Sequence, residues 1–229
     1  MVNRSSLRMS ATLLLAGQVL YILVTQFHTG GDANNHPAIF AAYAASGLWK
    51  AVHVGQFLCA ALLLAGLVAL PFAAGGGSER RRWAGRFGAV AAVIALALYA
   101  VLQAVDGIGN QEVDAAWAGA AGADKAARFA SAETMRWLEW GVRSYLDYAL
   151  GLALLLVAVA LLGRGGVPRV IAVLMGLSGV AYLAQGWVVG AEGFSGTHTV
   201  LILVAWVFSV VWMAWLAAVA WRREPVRLR

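Results

Sequence analysis

The residues best suited to do chemistry form a charge pattern in the second half of the chain. Glu139, Arg143 and Asp147 recur at every fourth position, and Arg136 precedes Glu139 by three residues. Residues with this spacing share one face of a helix, where their alternating signs can neutralise one another. Pairing matters because a lone charge at the centre of a bilayer costs about 2.5 to 3.5 kcal/mol on insertion scales. The pattern predicts a ladder of four charges along one helix face, in which opposite charges pair.

Further polar residues lie near the same ends of the neighbouring apolar segments. Together with the charge pattern they predict one ligand pocket, and the candidates are His53, Gln56, Gln103, Asp106, Glu139, Arg143, Asp147 and Gln185. The opposite halves of the segments are nearly free of polar side chains, apart from Gln18 and Ser209. The sequence therefore favours a vestibule that is closed at its base over a channel through the protein.

The histidines suggest a metal site within this pocket. His28, His53 and His198, with Asp106 or Glu112, could supply the imidazole and carboxylate ligands that zinc and iron take. Each histidine belongs to a different segment, and no His-x-x-x-His or His-Glu-x-x-His motif occurs. Three readings stay open: a metal ion, a haem held by two histidines, and histidines that only form hydrogen bonds at the membrane interface.

Composition identifies the setting in which these residues act. Of the 229 residues, 62% are hydrophobic and 12% are charged, and the mean hydropathy is +0.75. Six apolar stretches come close to the ~20 residues that a bilayer requires, at about 9–27, 54–72, 87–105, 145–162, 170–189 and 199–220. The sequence predicts an all-α fold, a single bundle of six transmembrane helices. The lone cysteine, Cys59, excludes an intramolecular disulfide.

Positive charge predicts the orientation of this bundle. Most of the 17 Lys and Arg residues fall near the amino terminus, in the segment 75–86, in the segment 163–169 and in the tail 222–229. Because short loops rich in Lys and Arg stay in the cytoplasm, both termini are expected there. The net charge of +6 is thereby explained as an orientation signal, and no nucleic acid partner is expected. We expect a multi-pass protein of the plasma membrane of a bacterium.

The two connections on the other side, 28–53 and 106–144, are too long to be simple turns. In the first, Asn35 and Pro37 precede an apolar stretch that predicts a short lid helix over 38–46. In the second, the alanine-rich stretch 123–132 predicts a helix that leads into the fourth span. The helix of the first connection would lie on the membrane surface or cover the bundle as a lid.

Two functions are consistent with these features. The first is binding, without chemistry, of a small ligand, a lipid head group or a partner membrane protein. The alternative is a membrane-embedded enzyme that uses zinc or haem, or acid and base chemistry by His53 with Asp106, Glu139 or Asp147. No serine or phosphate-loop motif supports a more specific reaction.

One stretch carries a resemblance to a protein family. It includes His28, Asn35-His36-Pro37, Trp49, and the run from Val52 to Phe57 that contains His53 and Gln56. This stretch resembles uncharacterised bacterial six-span membrane proteins of a domain-of-unknown-function type. The resemblance implies no activity, but it marks His28, His36, Trp49, His53 and Gln56.

Overall fold

The structure is a computed structural model that describes residues 3–75, 77–163 and 166–222. Its helices, listed in chain order, are α1 (Arg4–Thr25), α2 (His36–Ala45), α3 (Trp49–Ala73), α4 (Glu79–Ala104), a π-helix (Val105–Asn110), α5 (Gln111–Ala118), α6 (Asp124–Leu161), α7 (Arg169–Glu192) and α8 (Gly196–Trp221). The described residues contain no β-strand. The all-α fold predicted from the sequence is confirmed.

Six of these helices are long and apolar enough to cross a membrane. They are α1, α3, α4 with its continuation to Ala118, α6, α7 and α8. The helices extend beyond the predicted apolar stretches: α4 begins at Glu79, so Arg80, Arg81 and Arg82 are helical, although a loop was expected there. Arg164 and the tail after Arg222, which helped to predict the orientation, lie outside the described residues.

The six spans form a closed ring in chain order. Each span packs against the next along the chain, and α8 returns to pack against α1. Small residues allow close approach at several of these contacts. Gly151 of α6 and Gly179 of α7 face each other so closely that a Cβ on Gly151 would lie 2.7 Å from the Gly179 carbonyl oxygen. The helices are therefore tightly packed where these small residues lie.

An outer layer of shorter elements covers one end of the ring. The predicted lid helix is present as α2, which begins at His36, and Asn35 caps it by accepting a hydrogen bond from the Ala38 amide. Buried Ile39, Phe40 and Tyr43 pack with Trp49 in a second apolar cluster. The layer is joined to the α7–α8 turn by Asn34, whose Nδ2 donates to the Glu192 carbonyl oxygen at 2.8 Å.

The π-helix is the feature that shapes the covered end. It interrupts α4 at Val105 and leads directly into α5. Single-turn π-helices of this kind occur mostly within α-helices and frequently at functional sites. Here the wider turn carries Asp106 and Asn110 at the level of the outer layer.

Candidate functional site

Three potential metal ligands converge beneath the outer layer. His28 follows the end of α1, His53 belongs to α3, and Asp106 belongs to the π-helix. One ligand atom from each lies within 4.8 Å of the other two. His53 Nε2 is 3.1 Å from Asp106 Oδ2, and the two imidazole rings have their centroids 5.1 Å apart. The sequence named all three residues but could not show that they meet.

Backbone carbonyl groups fix the protonation of both histidines. His28 Nδ1 donates to the Thr29 carbonyl oxygen at 2.9 Å, and His53 Nδ1 donates to the Trp49 carbonyl oxygen at 2.8 Å. Since a carbonyl oxygen can only accept, each Nδ1 carries a proton, and Nε2 of the neutral ring keeps its lone pair. His53 Nε2 is buried and forms no hydrogen bond, despite the nearby Asp106 carboxylate. This is the arrangement that orients imidazole towards a metal.

Asp106 is held by a second set of hydrogen bonds. Asn110 Nδ2 donates to Asp106 Oδ1 at 3.1 Å, and the Trp49 indole donates to the Asp106 carbonyl oxygen at 2.9 Å. The same Asn110 amide donates to Glu139 Oε2 at 2.6 Å. The Oδ2 atom of Asp106 is thereby turned towards His53. These contacts supply the outer-shell support that metal sites usually have.

Burial affects the protonation of His28, which lies in the connection outside the spans. Loss of solvation lowers its pKa below the usual value of 6.5, and the positive field of Arg136 acts in the same direction. The Asp106 carboxylate opposes this lowering of the pKa only in part. A neutral imidazole is the form that binds metals, so the environment of His28 favours ligation.

The three ligands adjoin a cavity of about 280 Å³ within the ring. Its walls include most of the predicted pocket residues, namely Gln56, Gln103, Asp106, Glu139 and Arg143, as well as His28 and His198. They also include Tyr21, Thr25 and Tyr99, which sequence reasoning missed because single hydroxyls within apolar helices give no signal. Five of the eight predicted pocket residues thus line one cavity.

Some predicted residues lie behind the cavity wall. His53 instead lines an adjoining apolar groove between α3 and α4, together with Val54 and Ile108. Asp147 lies behind Arg143. Gln185 is fully buried in α7, where its Nε2 donates to the Leu201 carbonyl oxygen at 3.3 Å.

Two further candidate metal ligands, His198 and Glu112, do not join the three that converge. His198 lines the same cavity, but its Nε2 is 4.0 Å from Asp147 Oδ2 and it is not grouped with His28 and His53. Glu112 points to the surface, where it pairs with Lys50 at 2.9 Å. Of the candidate metal ligands, the structure thus brings together two histidines and Asp106.

The charge pattern on α6 forms two separate ion pairs. Arg136 Nη1 lies 2.6 Å from Glu139 Oε2, and Arg143 Nε lies 3.0 Å from Asp147 Oδ2. All four charges are paired, as the spacing predicts, but among the described residues no hydrogen bond or ion pair joins Glu139 to Arg143. The physical reason is competition, because Asn110 and Arg136 both donate to the same Glu139 oxygen.

The π-helix and Asn110 are the functional elements that the sequence analysis missed. A signal was present in the run Asp106-Gly107-Ile108-Gly109-Asn110, where two glycines interrupt the end of an apolar helix. Only the structure shows why Gly107 is needed, since its backbone lies against the side chain of His53.

Comparisons with known proteins find no matching family model, no similar curated protein and no similar solved structure.

Proposed function

We propose that the protein is a membrane-embedded metalloprotein, with a divalent transition metal held by His28, His53 and Asp106 beside a ligand cavity. The observation that supports this most is the convergence of three ligand atoms within 4.8 Å. In addition, both Nδ1 atoms donate to backbone carbonyl oxygens, which leaves each Nε2 free to ligate.

The ligand set favours zinc or ferrous iron. Imidazole suits both metals, and two histidines with one carboxylate are found in catalytic zinc sites and in non-haem iron sites. Three protein ligands leave at least one coordination position for water or a substrate, as in a catalytic site and unlike a closed structural one. A carboxylate between two imidazoles favours a single ion over haem.

Such a metal would act as a Lewis acid on a molecule in the cavity or would activate a bound water. The cavity is small, and its polar walls come from α1 and the connection after it, from α2, α3 and α4, from the π-helix, and from α6 and α8. We therefore place the chemistry at the covered end of the ring. The arginine cluster that predicts the cytoplasmic side, Arg80 to Arg82, begins α4 at its opposite end. The cavity accordingly faces away from the cytoplasm, and we assign the protein to the plasma membrane of a bacterium.

A second candidate is ligand binding without a metal. Its support is the 3.1 Å separation of His53 Nε2 and Asp106 Oδ2, since a protonated His53 would form a buried ion pair there. In that case the cavity would bind a small molecule through its polar walls alone. Binding of a lipid head group or of a partner membrane protein stays a prediction.

The metal content of the protein purified in detergent distinguishes the two candidates. We expect about one equivalent of zinc or iron in the unaltered protein and a loss of most of it in His28→Gln and His53→Gln. His36→Gln is the matched control, because His36 lies in the outer layer and pairs with Glu133 at 2.9 Å. His198→Gln should also retain the metal.

Thermal unfolding of each variant shows whether a lost metal reflects a lost ligand or a lost fold. If the unaltered protein takes up neither zinc nor ferrous iron when these are supplied after purification, the metal proposal is wrong. Equal metal content in His53→Gln and His36→Gln would also overturn it.

A further inference from the structure

The cavity has a second group of polar residues, separate from the three potential metal ligands. Arg143 lies at its base, with a smaller space of about 50 Å³ on the far side, lined by Gln18 and Asp147. Tyr99 of α4 and His198 of α8 line the same cavity. Three different helices thus bring one cation and two neutral polar side chains to one space.

These groups have hydrogen-bonding capacity that the protein does not use. Arg143 donates to Asp147 through Nε alone, and its two terminal amino groups form no hydrogen bond with any described residue. The Tyr99 hydroxyl and His198 Nε2 are buried without a hydrogen-bond partner in the described part of the chain. Tyr99 is 4% exposed and His198 is 1% exposed. Buried polar groups without partners are rare in native proteins, and a bound molecule is one explanation for them.

We propose that Arg143, Tyr99 and His198 bind the carboxylate of a small ligand whose other end reaches the metal. This inference rests on the proposed metal function. The arginine fork can donate two parallel hydrogen bonds to a carboxylate. The tyrosine hydroxyl donates a third hydrogen bond, and the His198 Nε2–H tautomer donates a fourth.

Formal charge favours a ligand group with a single negative charge. Arg136 and Arg143 line the cavity and are balanced there by Asp106 and Glu139. Asp147, behind Arg143, adds one further negative charge. A divalent metal therefore leaves the whole site with one positive charge. A carboxylate beside Arg143 neutralises this charge, and its two oxygens match the planar arginine fork.

The volume sets the size of the ligand. Pockets for drug-sized molecules span roughly 300 to 1,000 Å³. At about 280 Å³ this cavity lies just below that range. A short-chain acid that carries a second metal-binding group fits these limits, and succinate is a suitable probe because it has a carboxylate at each end.

The experiment measures succinate binding to zinc-loaded protein in detergent by calorimetry, with inorganic phosphate as the competing class of anion. Arg143→Lys keeps the charge but removes the fork, and we expect it to weaken succinate binding by about tenfold. Tyr99→Phe removes only a hydroxyl that has no protein partner, so it should weaken binding several-fold without lowering thermal stability. Tyr145→Phe is the matched control, since Tyr145 is 68% exposed.

Zinc content is measured in every sample, so that the two proposals can fail separately. Equal succinate affinity in the unaltered protein, Tyr99→Phe and Arg143→Lys, all with bound zinc, would overturn the carboxylate site and leave the metal site standing. Phosphate binding tighter than succinate binding, or no succinate binding at millimolar concentration, would also overturn it. Succinate binding that is weakened by Tyr99→Phe in protein unable to hold zinc would support the carboxylate site and reject the metal.

Discussion

Gly107 lies against His53 so closely that a Cβ atom on Gly107 would be 2.7 Å from the Cβ of His53 and 3.0 Å from its Cγ. The contact joins the π-helix to α3 and sets the distance between Asp106 and the imidazole ring. A side chain at residue 107 must therefore displace His53 or Asp106, two of the three potential metal ligands. Ligand positions matter to within a fraction of an ångström, because metal–nitrogen and metal–oxygen bonds have narrow length ranges.

We expect Gly107→Ala to lower the affinity for zinc by at least about tenfold, equivalent to ~1.4 kcal/mol, while the helical content is retained. The measurement is a competition titration with a chromophoric chelator. Gly109→Ala is the matched control, since its Cβ would lie 3.1 Å from the sulfur at the flexible end of Met135 and at an ordinary 3.6 Å from the Ala104 carbonyl oxygen. Unchanged zinc affinity in Gly107→Ala would contradict the prediction.

The stability of the metal-free protein should fall as the pH falls below 6.5, in part because of His28. Burial lowers the pKa of His28 in the folded protein, with Arg136 and His53 acting in the same direction and Asp106 opposing them. Between the folded pKa and 6.5 the unfolded chain binds more protons than the folded one, so acid favours unfolding. The effect is absent above 6.5, where both states are neutral at this position.

The check is a series of thermal unfolding curves between about pH 5 and pH 8 for the metal-free protein and for His28→Gln. The variant should show a shallower loss of stability on acidification, because the difference between the two proteins isolates His28 from the other histidines. Identical slopes would show that His28 is not held in its neutral form.

Removing Arg143 should destabilise the fold strongly. Asp147 is 1% exposed, so Arg143→Ala leaves a buried carboxylate without its cation, a change that costs about 3 to 5 kcal/mol in comparable pairs. Unfolding by denaturant in mixed micelles measures this difference. The double variant Arg143→Met with Asp147→Leu should recover much of the loss, since it removes both charges.

The exposed pair of Lys50 and Glu112 provides the control for that comparison. Its members are 60% and 64% exposed, and Lys50→Met should change stability by less than about 1 kcal/mol. A similar effect of Arg143→Ala and Lys50→Met would mean that the inner pair contributes no more than a surface pair.

The stability of the protein should also be sensitive to substitution of the small residues between α1 and α3. A Cβ on Gly17 would lie 2.6 Å from the Leu63 backbone nitrogen, which cannot move without shifting α3. Gly17→Ala is therefore expected to destabilise the protein by about 1 to 3 kcal/mol. Gly141→Ala, in α6, is the matched control, because no atom lies within 4 Å of its added Cβ. Equal unfolding free energies for the two variants would contradict close α1–α3 packing.

The architecture could be predicted because it depends on local features of the sequence. Each span is a continuous apolar run that only a helix can satisfy in lipid. The lid helix was also predictable, since Asn35 and Pro37 are cap signals that act within a single turn. Its start differed by two residues, at His36 in place of residue 38.

The candidate site was predictable only as a set of residues at one depth. His28, His53 and Asp106 meet because α1, α3 and α4 are consecutive members of a ring and because the π-helix turns Asp106 inwards. Neither fact follows from spacing in the sequence. Spacing on α6 likewise showed which side chains can pair, but not that Asn110 of another element donates to Glu139 and leaves two separate pairs.

The residues that line the cavity come from two successive parts of the chain. All three potential metal ligands lie within the first 106 residues, whereas Arg143 and His198 belong to the last three spans. Synthesis from the amino terminus therefore delivers the ion-binding half to the membrane before the remaining walls exist. If the proposed metal bound at that stage, the later helices would enclose it, and metal loading would precede closure of the ring.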